Sequence, residues 1–85
     1  MADTYEISWT PAARRALHRL PEKVAAAVIE FIYGPLASNP QRAGKALRIN
    51  LEGLHSARRG DYRVIYRIDT RVAIAAIEHR ADVYR

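Results

Sequence analysis

Residues 62–79 read YRVIYRIDTRVAIAAIEH. In an extended chain successive side chains point to opposite faces, so Tyr62, Val64, Tyr66 and Ile68 share one face and Arg63, Ile65 and Arg67 the other. The next run, Val72 to Ile77, has no polar alternation. It predicts a central strand covered on both faces, or one whose second face receives a partner. The links Arg59-Gly60-Asp61 and Thr70-Arg71 are short enough to make antiparallel hairpins. With Leu54 to Arg58 as a shorter strand before them, three consecutive strands form a meander.

Upstream, TYEISW at 4–9 places Tyr5, Ile7 and Trp9 on one face of a first strand. Thr10 then caps a helix opened by Pro11, with Ala13, Ala16, Leu17 and Leu20 on its apolar stripe. Arg14, Arg15, His18 and Arg19 mostly face the other way. Pro21 ends that helix, and Val24, Ala27, Val28, Phe31, Ile32 and Leu36 keep helical spacing from Glu22 to about Ala37. Gly34-Pro35 is expected to distort the last turn, because proline removes a backbone donor. Residues 38–53 read as turn-rich, with a short extended piece around Ala46 to Ile49, and ADVYR at 81–85 as a final helical turn. The predicted fold class is α+β, two N-terminal helices packed on a small antiparallel sheet. A chain this short buries only roughly 60% of its unfolded surface, so residues 1–85 are expected to form a single domain.

Composition narrows the function. There is no cysteine, which excludes a disulfide scaffold and a Cys-ligated metal, and the three histidines are scattered. No phosphate-binding glycine loop, HExxH helix or nucleophile elbow occurs, so neither metal nor cofactor is expected. The first residues do not resemble a signal peptide, and no apolar run reaches the roughly 20 residues of a membrane span. The expected location is the cytoplasm. Of the 14 basic residues 12 are arginine, and the net +5 lies wholly in residues 41–85, the first 40 being balanced. Arginine's planar fork suits phosphate or carboxylate, which points to an acidic partner. Arg63 stands out: it lies mid-strand between apolar neighbours, where a bare charge is costly without an anion.

The stretch LEGLHSARRGDYRVIYRID at 51–69 resembles the RelE/ParE superfamily of bacterial type II toxins, and its RelE branch in particular. PAARRALHRLP at 11–21, FIYGPL at 31–36, GKALR at 44–48 and HRADVYR at 79–85 agree with it. The resemblance implies two helices on an antiparallel sheet and a cognate antitoxin protein that wraps the toxin in a hetero-oligomer. It also implies a metal-independent endoribonuclease that enters the ribosomal A site and cleaves mRNA by 2'-hydroxyl attack, inhibiting translation. By that likeness Arg63 contacts the scissile phosphate, Arg80 is a second basic catalytic position, and Tyr84 stacks on or orients the substrate nucleotide. Arg58 and Arg59 would bind RNA backbone, with Lys45, Arg48, Arg67 and Arg85 as further RNA-binding candidates. Well-known members carry two lysines on the strand before the loop, one proposed as general base. The positions aligned here are His55 and Ala57, which leaves His55 or His79 as candidate base. Two alternatives stay open: inhibition of DNA gyrase in the ParE manner, without nuclease activity, and a non-catalytic antitoxin-binding module.

Overall fold

A computed structural model describes residues 4–47 and 53–79. Strand β1 (Ile7–Trp9) leads through α1 (Pro11–Arg19) and α2 (Glu22–Phe31) to a short α3 (Pro40–Ala43). Then come β2 (Lys45–Ala46), β3 (Leu54–Arg59), β4 (Tyr62–Ile68) and β5 (Val72–His79). The five strands lie in the order β1-β5-β4-β3-β2. The meander β3-β4-β5 is antiparallel as the alternation predicts; β4 is the middle strand, and β5 is an interior strand flanked by β4 and β1, with Val72, Ile74 and Ile77 in the core on one face and Ala73 and Ala76 half-buried on the other rather than covered. The sheet as a whole is mixed rather than antiparallel, because β1 runs parallel to β5, with Ile7 opposite Val72 and Trp9 opposite Ile74. No hairpin fixes the direction of β1. It reaches the edge of β5 by a long excursion through the helices, and crossovers of that kind yield parallel neighbours.

Gly60 and Asp61 form a two-residue loop between the paired Arg59 and Tyr62, and Gly60 has φ 63°, a conformation that glycine adopts without a Cβ penalty. Between β4 and β5 the register slips at Ile65/Tyr66, so that Ala75 is left over as a bulge. Its carbonyl is not wasted. The Thr10 hydroxyl donates to Ala75 O at 3.0 Å and accepts from the Ala13 N–H at 3.1 Å, so one side chain caps α1 and ties it to the sheet.

The second helix keeps its predicted length in a modified form. After Phe31 the chain widens into a π-helical turn over Ile32–Leu36 around Pro35, where the missing N–H interrupts the ordinary ladder. The register still returns Ile32 and Leu36 to the core. Ala13, Val28, Ile32 and Leu36 from the helices meet Ala57, Val64, Tyr66, Val72, Ile74 and Ile77 from one face of the sheet. Among the described residues, no helix is long and apolar enough to cross a membrane.

In the turn-rich segment the sequence pattern misses a helical turn and places the start of the extended piece one residue late. Asn39-Pro40 starts the single turn of α3, and the extended piece is β2, beginning at Lys45 rather than Ala46. The expected end of that piece and the ADVYR turn lie outside the described residues. The segment is fastened by Tyr66, whose fully buried hydroxyl donates to Pro40 O at 2.6 Å. Gly44 lets the chain close over β3: a Cβ there would meet the Ser56 carbonyl oxygen, with the Tyr66 hydroxyl 2.7 Å away.

Burial pushes the Tyr66 phenol up from 10.0 to about 12. Because the folded state then holds its proton more tightly than the unfolded state, the stability linked to Tyr66 is complete below pH 10 and is lost as pH rises toward 12. Urea unfolding across that range should show a fall on the order of 2–3 kcal/mol. Tyr66→Phe should flatten this slope and lower stability near neutral pH by about 1–3 kcal/mol, since it orphans the Pro40 carbonyl.

Candidate functional site

The β3-β4 register sorts the polar side chains. On the face packed against the helices, Ala57 pairs with Val64, His55 with Tyr66 and Arg59 with Tyr62. On the opposite face Ser56 pairs with Ile65 and Arg58 with Arg63, and Lys45 of β2 sits opposite Ser56. The turn of α3 folds over this corner. Together Arg42, Ala43, Gly44, Lys45, Ser56, Arg58 and Arg63 line a cleft of about 500 Å3. Four of those seven are cationic and none is acidic.

This arrangement runs against folding. Arg58 and Arg63 stand directly opposite each other on adjacent strands, where like charges cost about 0.2–1 kcal/mol. Glu78, opposite Arg63 on its other flank, makes no ion pair with it, and neither arginine has a side-chain hydrogen bond or ion pair among the described residues. Arg63 is moreover half-buried. A partly desolvated guanidinium without a carboxylate is a site for an anion. Two or more such forks converging on one cleft, with Lys45 as a point charge, suit a polyanion whose phosphates they can grip in series. Among the described residues no cluster of three or more His, Asp or Glu could hold a metal ion.

The sequence candidates fall into three groups. Arg63, Arg58 and Lys45 are brought together in the cleft, and Arg67 lies on the same face two alternations further along β4, opposite Leu54. His55, His79 and Arg59 lie across the sheet. The His55 ring stacks on Tyr66 with centroids 5.6 Å apart, and His79 meets Tyr62 edge-on at 4.8 Å, opposite it in the β4-β5 ladder. Arg59 borders a separate groove with Lys23, Val24 and Tyr62. Ala57, aligned with the second lysine of the well-known members, is buried in the core. On β3 it is therefore Ser56 and Arg58 that line the cleft. Arg48, Arg80, Tyr84 and Arg85 lie outside the described residues. Arg42 and Ser56 were not sequence candidates; the hairpin register would have placed Ser56 beside Arg63, whereas Arg42 arrives only through α3 and the close passage at Gly44.

Residues 7–84 match the model of the family described as the ParE toxin of type II toxin-antitoxin systems. The chain is 58% identical over 84 residues to Toxin RelE of Mycobacterium tuberculosis, covering 95% of this chain and 87% of that one. It is 52% identical to Toxin RelG of the same organism, covering 95% and 97%. Among solved structures, the toxin-antitoxin complex RelBE2 from Mycobacterium tuberculosis contains a chain of the same fold, with 51% identity, a TM-score of 0.86 and coverage of 93% and 94%. The strand arginine, the helices before it and the sheet order thus have one common explanation: this chain belongs to the RelE/ParE superfamily of type II toxin-antitoxin toxins.

Proposed function

We propose that this toxin is a ribosome-dependent mRNA endoribonuclease and that the cleft around Arg63 is where the message is cut. The observation that carries this is the pair Arg58 and Arg63, held opposite each other without an acidic partner among the described residues, beside Arg42 and Lys45. A ribose 2'-oxygen attacks the adjacent phosphorus, the bond to the 5'-oxygen breaks, and the products are a 2',3'-cyclic phosphate and a free 5'-hydroxyl. DNA lacks that nucleophile. Negative charge grows on the phosphorane oxygens, and a guanidinium already aimed there from a partly desolvated strand stabilises it without reorganising. Arg63 takes that role, while Arg58, Arg42 and Lys45 grip flanking phosphates.

The described cleft supplies charge and no histidine. Proton transfer is accordingly assigned to groups other than His55 and His79, and Arg80 and Tyr84 keep the catalytic and stacking roles that the family likeness gives them. Much of the rate then comes from the ribosome holding the message in position in the A site. We also propose that residues 1–85 act as one domain and that an acidic antitoxin wraps it, as supported by a 51% identical chain solved in a toxin-antitoxin complex. Such a wrap would neutralise the cationic cleft.

A second reading, poisoning of DNA gyrase, has the ParE description of the family model in its favour. Conditional expression separates the two: cuts mapped inside translated messages support the nuclease, and DNA damage with intact messages supports gyrase. Arg63→Ala should lower cleavage in a translating extract by at least ~100-fold, the cost of removing one preorganised charge contact, and still bind antitoxin. Unchanged cleavage would refute the site. His55→Asn should cut within about threefold of wild type, against the ~100–10,000-fold loss expected of a missing general base. In urea, Arg63→Gln should be as stable as wild type or more so by about 0.2–1 kcal/mol, with the gain shrinking in high salt.

A further inference from the structure

The balanced charge of the first 40 residues conceals a local imbalance. Helix α1, PAARRALHR, contains three arginines, one histidine and no acid, and all four basic side chains are exposed. Where α1 meets β1, a second cleft of about 300 Å3 is lined by Trp9, Pro11, Arg14, Arg15 and His18. It belongs to the sheet edge opposite β2. Three strand spacings of about 4.8 Å, or roughly 15 Å, separate β1 from β3. Trp9 is fixed in place: its Nε1–H donates to the Tyr33 hydroxyl at 2.9 Å, and Tyr33 itself is 53% exposed on the widened turn. Trp9 is half-buried and packs against the core, so with its one polar atom engaged what it offers a ligand is the part of its ring that lines the cleft.

We propose that this cleft is a second RNA site, in which an unpaired base stacks on Trp9 while Arg14 and Arg15 bind the adjoining phosphates. The guanidinium forks alone would suit a carboxylate as well as a phosphate. The indole decides between them. Base stacking on an aromatic side chain contributes about 1–3 kcal/mol per base and every base has a π face, whereas the carboxylate side chains of an acidic peptide have no aromatic face to stack. The proposal deepens the nuclease reading and rests on RNA being the ligand. Its role would be to hold a single-stranded segment of RNA away from the cut, at the far edge of the sheet and on its helix side, since Trp9 pairs with the core residue Ile74.

Trp9 is the only tryptophan, so its emission reports on this cleft. The probe is a 2'-O-methyl oligoadenylate of about eight nucleotides, which cannot be cut, titrated into the full-length Arg63→Ala toxin. Saturable quenching is expected. Arg14→Gln/Arg15→Gln added to that background should weaken the midpoint at least ~10-fold and reduce the slope of log K against log salt by about 1.4, as expected for two lost phosphate contacts. Arg14→Lys/Arg15→Lys should retain most of the binding, and far-UV circular dichroism should be the same for all variants. Absent quenching, quenching undiminished in the glutamine variant, or equal quenching by poly-L-glutamate at matched charge would overturn the proposal, the last assigning the cleft to an acidic protein segment. Because the readout needs no cleavage, its failure is distinct from wild-type toxin failing to cut messages in the extract.

Discussion

The Tyr66 hydroxyl donates to the Pro40 carbonyl at 2.6 Å from a position with no solvent exposure. This bond joins the centre of the core to the segment that builds one wall of the cationic cleft. Without it, α3 would be a four-residue helix with no side-chain cap, too short to persist by its own hydrogen bonds. With it, Gly44 is drawn over β3 and Lys45 pairs with Ser56. The helix-facing side of β4 thereby fixes the geometry of its other side. Val64 and Tyr66 hold the strand in register, and Arg63, one residue away, is delivered to the opposite face beside Arg58.

Such a division of labour explains how a small domain can keep Arg58 and Arg63 side by side without an acidic partner among the described residues. The charges lie on the face that contributes least to the core, so their repulsion is offset by packing on the other side of the same strands. It also explains the placement of the histidines. His55 and His79 are cross-strand partners of core or rim tyrosines, stacked on or edge-on to their rings, and are separated from the cleft by the thickness of the sheet. In the proposed reaction, where preorganised charge stabilises the phosphorane and the ribosome positions the substrate, there is less need of a side-chain base than in an enzyme acting on free RNA.

Much of the fold was legible in the sequence because period-two alternation in β4 and the apolar run of β5 are strong local signals. Thr10-Pro11 and Pro21 marked the helix limits for equally local reasons. The direction of β1 was not legible, since a three-residue strand carries no information about which edge it will join. Nor was α3, which depends on a hydrogen bond to a residue 26 positions away. At the site, Arg63 could be singled out from its awkward position between apolar neighbours, and Arg58 from the hairpin. The linear alignment that offered His55 does not carry what the register makes plain: odd and even positions of β3 face different ways, and Ser56, not His55, shares the face of Arg63. Arg42 had no sequence signal, because only the tertiary fold brings it to the cleft.

The central claim is that the message is cut at the sheet face carrying Arg58 and Arg63, rather than at the face covered by helices. A message with 4-thiouridine in the A-site codon, bound to ribosomes with the full-length Arg63→Lys toxin and irradiated, tests it directly by mass spectrometry of the crosslinked peptides. The account predicts crosslinks at Ser56, Arg58 and the substituted position 63. Crosslinks confined to Val24, Arg59 or Tyr62, in the groove on the other side of the sheet, would contradict it.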